Sequence, residues 1–451
     1  ILARLRPLRN YYRYVIVAVT FIMLGSLMIG PDVFTYTMVY MERNSTNPDS
    51  FRIYTDQEKN YLITAMAVGT LIGMYPFNWL FARYGARFTI IGAGVLCTAS
   101  TFLMPICLDL SFATAIIARI AQGISYSADF GLVGLVVAKW SPISETALIL
   151  AILSAFSFLK ASVQLPLAAY MLQAYGWRSI YYAIGGIIAG ATALWTLVYR
   201  DDPSSTPATP IEIERIERGK QITTGRVVVP YRRILLDYRI WALWAAAFAD
   251  TTASIMLMVY SSKLFARIGY DPTGNAIATS LPGYAMIVGK ISSGILSDRI
   301  KCLSETTKIR IFAFISLQLS ALVLLASALT IEGNKSLQVA LQVIFQFLVA
   351  ANVGAFYKGG VLMSGPYAFF VIGNVQMFKS LSVLFEPLLF GWIVANNSLA
   401  EWKTFYYIHV ALLTLGTLVY LPFVTVKNRY TIKEAEAASG ESKDLSEHLR
   451  L

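Results

Sequence analysis

Apolar residues along this chain come in long runs separated by short polar stretches. About twelve runs stand out, at 14–40, 60–82, 88–107, 112–138, 146–171, 178–199, 238–264, 274–297, 309–330, 338–358, 367–394 and 404–425. Each is near the roughly 20 residues that an α-helix needs to cross about 30 Å of hydrocarbon. Strands of a membrane barrel would be about half as long and would alternate apolar with polar positions. The pattern therefore predicts an all-α integral membrane protein with twelve transmembrane helices.

The longest polar gap, 200–237, divides the runs into six and six. Its proline-rich start, "RDDPSSTPATP", reads as a linker, and "IEIERIERGK" as a short amphipathic helix. The expected organisation is an N-terminal six-helix half at 1–199, a cytosolic linker at 200–237, a C-terminal six-helix half at 238–425 and a cytosolic tail at 426–451. The tail is polar and is expected to be disordered past its first turns. The chain opens on Ile1, so the native start is expected upstream.

Charge sharpens the topology. Only 14% of the residues are charged, against about 25% in an average soluble protein, and the net charge is +11. The basic residues do not form the continuous patch that nucleic acid requires; they sit between apolar runs. Arg4, Arg6, Arg9 and Arg13 precede the first run, Arg83 and Arg87 follow the second, and Arg215, Arg218, Lys220, Arg226, Arg232 and Arg233 lie in the middle gap. Arg299, Lys301, Lys308 and Arg310 follow the eighth run. In a twelve-pass chain all of these share one side, which is then cytosolic, with both termini. The sequons at Asn44, Asn334 and Asn396 fall on the opposite side, where glycosylation occurs; Asn44 is the expected acceptor, and the two in short loops are expected to stay unmodified. Cys97, Cys107 and Cys302 have neither a disulfide framework nor metal-ligand spacing.

A weak internal repeat accompanies the six-plus-six division. "NWLFARYGAR" follows the second run and "GILSDRIKCL" the eighth. Both resemble the G-x-x-x-D-R-x-G-R-[KR] loop of the major facilitator superfamily. Gly294, Asp298 and Arg299 keep more of it than the first copy, which retains Arg83, Gly85 and Arg87 but has Asn78 and Ala82 for the leading glycine and aspartate. The resemblance implies a major facilitator fold of two pseudo-symmetric halves and a conformational latch built on carboxylate–arginine pairing at these residues.

A narrower resemblance rests on "RIAQGISYSADFGLVGLVVAKWSPISE" at 119–145, which is similar to the fourth helix and following loop of the anion:cation symporter family. That family includes the vesicular glutamate transporters, sialin and the type I sodium–phosphate cotransporters. The shared positions are Arg119, Gln122-Gly123, Lys139-Trp140, Pro142 and Glu145. Arg13-Tyr14, Pro76, Pro166-Leu167, Gly176-Trp177, Tyr182, Asp202-Pro203, Pro387, Glu401-Trp402, Tyr407 and Ile408 extend the match over nearly the whole chain. "AFYKGGVLMSGPYAFFVIGNVQMFKS" is similar to divergent invertebrate members.

The departures bear on cargo. Where the glutamate-carrying branch has an arginine in helix 1, this chain has Gly30-Pro31-Asp32; Ile63 lies near the place of a histidine, Tyr126 replaces a glutamate, and Asp250 replaces an arginine. Arg119 alone of these anchors remains. The resemblance thus implies fold and transport, and leaves open the substrate and its coupling.

Charges in the apolar runs are expected to face partners or a cavity, because a charge at mid-bilayer costs roughly 2.5–3.5 kcal/mol. Arg119 lies seven residues into its run, where its planar fork suits a carboxylate or phosphate; a structural ion pair is the alternative. Tyr126 shares its face of a continuous helix and suits a ligand hydrogen bond as well as simple packing, whereas Asp129 lies roughly 80° off that face and suits cation coupling or a pair. Lys379 and Glu386 share a face of the eleventh run, with Gln376 a turn before Lys379 and Pro387 next to Glu386. Lys160 is central in the fifth run and suits an anion; Asp250 and Asp32 suit ion coupling or pairing, with Pro31 a place for helix 1 to break. Lys290 and Lys358 lie nearer helix ends, where snorkelling to water is the less costly arrangement.

No enzyme signature is present. His409, toward the outer end of the twelfth run, and His448 in the tail have no catalytic partner in the pattern, and no phosphate-cradling G-x-x-x-x-G-K-[ST] loop occurs. No cofactor is expected beyond a coupling sodium ion or proton. The residues predict a monomeric secondary transporter of an organic or inorganic anion by alternating access, in the plasma membrane or an intracellular vesicle or lysosomal membrane. Substrate would meet Arg119, Tyr126, Lys160, Gln376 and Lys379, with Asp32, Asp129, Asp250 and Glu386 for ion coupling or charge pairing. A facilitator of neutral or cationic solutes, and a non-transporting receptor or scaffold on the same fold, remain alternatives.

Overall fold

A computed structural model of the chain describes residues 7–38, 54–156, 164, 167–168, 170–172, 174–220 and 229–426. Lys160, Asn44, Arg4, Arg6, Arg226, His448 and the tail after 426 lie outside the described residues.

In chain order the helices are α1 (Tyr12–Met38), α2 (Asp56–Leu110), α3 (Phe112–Tyr126), α4 (Asp129–Trp140), α5 (Thr146–Ser154), α6 (Trp177–Val198), α7 (Pro210–Glu217) and α8 (Tyr231–Leu236). There follow α9 (Tyr238–Arg267), α10 (Pro272–Arg299), α11 (Glu305–Ala313), α12 (Ser320–Leu329), α13 (Lys335–Val349), α14 (Phe356–Ser364), α15 (Ala368–Ile393) and α16 (Leu399–Tyr420). No strand occurs among the described residues. Eight stretches are long and apolar enough to cross a membrane, and two of them, Gln57–Leu110 and Lys335–Ile393, are of double length. A straight helix of that size would run about 80 Å, far beyond the hydrocarbon, so each has to turn. The first turns at Gly85, with φ 75°; the second breaks at Ala350–Gly354 and turns at Gly365, with φ 50°. Positive φ is open to glycine at little steric cost.

Two compact units emerge. One holds the described residues up to Ser141 and from Leu153 to Lys220; the other holds Pro142–Ile152 and the described residues from Val229 onward. In the first unit, α2 and α3 are joined by a one-residue corner, where the Ser111 hydroxyl accepts from the Thr114 N–H. They then pack almost backbone to backbone: a Cβ added at Gly123 would lie 2.0 Å from the Met66 carbonyl oxygen. Small residues permit such contact in membrane helices.

The middle gap also docks on this unit. α7 begins at Pro210 with Thr209 as its cap, and its Glu212 takes a buried ion pair of 2.6 Å from Arg13 at the start of α1. The Lys220 amine donates to the carbonyl of Ala138 near the end of α4. Burial of that amine pushes its pKa down to about 7.

Several boundaries depart from the hydrophobic pattern. The fourth run is not one uniform helix: it tightens at Ser127–Ala128, where the Ser127 N–H donates to both Gly123 and Ile124, and resumes as α4. The ninth run contains a π-turn at Phe314–Leu319, and the tenth is interrupted at Ala350–Gly354. The last helix starts at Leu399, earlier than expected, because Ser398 and Glu401 form a capping box. Asn334 and Asn396 both use their side chains in local bonds, Asn334 to the Ser336 N–H and Asn396 to Glu401.

Candidate functional site

In the first unit the polar centre is Arg119, 2% exposed. Its Nε donates to the Leu62 carbonyl at 3.0 Å, and its Nη1 to the Pro31 carbonyl at 2.6 Å and to Gln122 Oε1 at 2.8 Å. The Phe34 ring lies 4.8 Å from the guanidinium carbon. Gln122, fully buried, passes the chain of bonds to the Thr101 hydroxyl at 3.4 Å. Arg119 thus ties α3 to α1 and α2, and its Nη2 hydrogens make no hydrogen bond among the described residues. Asp32 and Tyr181 both lie within electrostatic reach, and the Tyr181 hydroxyl is 2.7 Å from that of Thr37.

Pro31 does not break α1 in this structure. Proline lacks the N–H that would bond the carbonyl four residues back, and that carbonyl, on Leu27, lies 3.7 Å from the Cys97 thiol. Gln164 donates to the Ile29 carbonyl nearby. Three side chains therefore cover backbone oxygens around the proline, and Asp32 continues the helix, half-buried.

Tyr126 is buried at the last turn of α3, on the Arg119 helix. Asp129 lies just beyond the tightened turn. It opens α4, where its carboxylate accepts from the Phe130 N–H and meets the positive end of the helix dipole.

The second unit has a larger polar centre. Asp250 is midway along α9 and 3% exposed. Its Oδ2 accepts from Asn352 at 3.0 Å, and its Oδ1 is buried with no hydrogen-bond partner among the described residues. Asn352 lies in the interruption between α13 and α14, which frees it from regular helix geometry. Lys290 of α10 is within electrostatic reach of both Asp250 and Lys379 of α15. Lys290 is buried rather than snorkelled. Gln376 Oε1, Asn374 Oδ1, Asn352 Oδ1 and both ends of the Gln346 amide are likewise buried without hydrogen-bond partners. A folded chain leaves few such atoms. Most here are acceptors that need a donor.

Further along α15, Glu386 is fully buried against His409 of α16, whose Nε2 lies 3.1 Å from Oε1 and 3.3 Å from Oε2. Because α16 starts early, His409 sits near its midpoint rather than at its outer end, and it has a partner that the sequence pattern did not reveal.

The second loop motif is engaged within this unit. Asp298 accepts from the N–H groups of Ala147 and Leu148 at 3.3 and 2.8 Å. A Cβ at Gly294 would lie 2.9 Å from the Ala147 carbonyl oxygen, so glycine allows the approach. Lys358, fully buried, pairs with Asp298 at 2.9 Å and Glu305 at 3.0 Å; it does not snorkel, and it replaces the expected arginine as partner. Arg299 is exposed. In the first motif Arg83 is exposed over the Trp79 and Tyr84 rings, and Arg87 donates to the Thr196 carbonyl. Ala82 offers no carboxylate; Asp201, from the end of α6, instead accepts from the Ala86 and Arg87 N–H groups beside Gly85.

Asn352, His409, Gln346 and Asp201 carry no motif signal; the turn between α13 and α14 and the start of α16 bring the first two into place.

Residues 15–368 match the Major Facilitator Superfamily. The chain is 27% identical over 410 residues to the uncharacterized transporter slc-17.2 of Caenorhabditis elegans, covering 86% of this chain and 81% of that one. It is 24% identical over 389 residues to a probable small intestine urate exporter of Mus musculus, covering 82% and 76%. It is 23% identical over 383 residues to sialin of Homo sapiens, covering 81% and 75%. Among solved structures, the proton:xylose symporter XylE aligns with a TM-score of 0.67 at 16% identity, over 95% of this chain and 99% of the other.

Proposed function

The chain belongs to the Major Facilitator Superfamily and, by its relatives, to the anion:cation symporters; it is a transmembrane transporter of anions, and we propose that its cargo is an organic anion bearing hydroxyl or N–H groups. The observation that carries the choice is the set of buried, donor-hungry acceptors in the second unit: Asp250 Oδ1, Asn352 Oδ1, Asn374 Oδ1, Gln376 Oε1 and Gln346 Oε1. Fully deprotonated oxyanions bring only acceptors to such a site. A hydroxylated carboxylate brings hydroxyl donors for the amides and a negative charge for Lys290 and Lys379. A relative of Mus musculus described as a sodium-dependent phosphate transport protein, and two described as probable small intestine urate exporters, support an anion class without choosing among its members.

The proposal extends to twelve membrane passes, six-helix halves at 1–199 and 238–425, cytosolic termini, and a monomer that works by alternating access with a coupled ion. Arg119 supplies positive charge in the first unit through its Nη2 edge, with Tyr126 beside it on α3. Gln376 and Lys379 contact cargo in the second, while Asp32 and Asp250 balance the bases when cargo leaves. Asp129 and the motif residues Arg83, Gly85, Arg87, Gly294, Asp298 and Arg299 serve structure and conformational latching. Lys160 and a glycan at Asn44 remain part of the proposal on sequence grounds.

The test is uptake by the purified chain in proteoliposomes, with phosphate, D-gluconate, neutral sugars and organic cations offered in parallel. Saturable gluconate uptake, competed weakly by phosphate and weakened about tenfold in Gln376→Leu, is expected. Preference for a neutral sugar or a cation would overturn the anion assignment. No uptake of any probe by a folded chain would favour a receptor or scaffold.

A further inference from the structure

We propose that Glu386 and His409 together form the binding site for a coupling proton. The inference deepens the transport reading above and rests on it for its purpose, though not for its chemistry. Both side chains are fully buried, His409 near the middle of α16 and Glu386 about two turns from the C-terminal end of α15. The His409 Nδ1 lies 2.8 Å from the Phe405 carbonyl, one turn back, which can only accept, so Nδ1 carries a hydrogen. That leaves Nε2 facing the carboxylate, and one further proton sits between them. Carboxylate with imidazolium, or carboxylic acid with imidazole, are the two forms of that singly protonated pair, and both are neutral overall. Losing the proton leaves a bare carboxylate in a dry interior, which is costly. The pair therefore holds one proton while closed and releases it only where water can reach the carboxylate.

The surroundings keep the closed pair dry. Phe405 lies edge-on to the His409 ring at 4.8 Å, and Tyr260 stacks on Phe390 at 3.9 Å on the same side. On α14, which packs on α15, Lys358 is held by Asp298 and Glu305. From α9, Tyr260 is within electrostatic reach of Glu386, Lys263 lies over the Phe390 ring, and Asp250 is bonded to Asn352. Lys379 is seven residues back on α15, and Tyr406 of α16 is bonded to Gln342. The π-turn and α12, which also pack on α16, contribute no charged residue. A release route is built into α15 itself. Pro387 follows Glu386 directly and cannot donate to the Val383 carbonyl, so this helix bends most readily next to the carboxylate. Straightening or bending there changes the distance of Glu386 from His409 and admits water.

The test combines two measurements on the full chain in proteoliposomes. The first is pH-difference infrared spectroscopy without cargo. A carboxyl band that titrates in the wild type should vanish in Glu386→Gln and shift in His409→Gln. The second is gluconate uptake with and without an inward proton gradient. The ratio should exceed one in the wild type and fall to one in both variants. A titrating band that survives in Glu386→Gln, or a gradient ratio unchanged in both variants, would overturn the proposal. If gluconate and phosphate are not transported even by the wild type, the transport reading fails, and the infrared band alone still decides whether the pair binds the proton.

Discussion

In the first unit the buried guanidinium of Arg119 donates to acceptors on the protein itself, two backbone carbonyls and Gln122. In the second, the buried carboxylate of Asp250 has one oxygen on Asn352 and the other without a hydrogen-bond partner among the described residues, and the Asn352 oxygen also lacks a donor there. A polar group satisfied by its own chain holds helices together; one left unsatisfied in a folded interior is waiting for water or a ligand. The difference teaches that a charge in the membrane is not by itself evidence of a binding site. The wiring around it decides, and by that criterion Arg119 is a brace while Asp250 is receptive.

The strongest challenge to this contrast is Arg119→Ala. Removing a brace strips donors from buried Gln122 and two carbonyls, so unfolding in detergent should become easier by on the order of 2–4 kcal/mol, with uptake lost as well. A variant that melts like the wild type yet fails to transport would make Arg119 a pure cargo residue and erase the contrast.

Asp250→Asn should behave in the opposite way. It keeps one acceptor oxygen for Asn352, removes the charge and turns the unpartnered acceptor into an N–H donor, so stability should change by less than about 1 kcal/mol while gluconate affinity changes by roughly tenfold. A melting shift as large as that of Arg119→Ala would place Asp250 among the braces.

Gln376→Leu is a milder probe of the same region. Deleting a buried amide whose oxygen lacks a partner should leave melting nearly unchanged, yet it should weaken a hydroxylated anion by about tenfold and phosphate less, measured by competition. Equal loss for both probes would remove the argument from hydroxyl donors.

The smallest effect concerns the strap across the first unit. The Lys220 amine has a pKa near 7 when docked, below the usual lysine value near 10.4. Between those values the undocked chain binds the proton and the docked one does not, so docking strengthens as pH rises through this window. Hydrogen exchange of α7 amides should slow accordingly, relative to its intrinsic pH dependence, and Lys220→Met should flatten the response.

The legibility of these features from sequence was uneven for physical reasons. Arg119 and Asp250 were visible because an ionisable residue stands out in an apolar run. Lys358 was misread as snorkelling because distance along a helix says nothing about the carboxylates of Asp298 and Glu305, which come from other helices. His409 looked isolated because its position depended on where α16 starts. Asn352 was invisible because an asparagine in an apolar run signals nothing until the helix breaks around it.

By itself the sequence determined the helical membrane class and which residues put charge or proline into apolar runs. Those properties follow from hydrocarbon thickness and local backbone chemistry, which any window of about twenty residues reports. Only the tertiary structure decided which charges are satisfied: Arg119 by backbone oxygens, Asp298 by Lys358 and two amides, Glu386 by His409, and Asp250 by one bond of two. Those pairings join residues 23 to 151 positions apart, and their phase is set by kinks and caps that no single apolar run encodes.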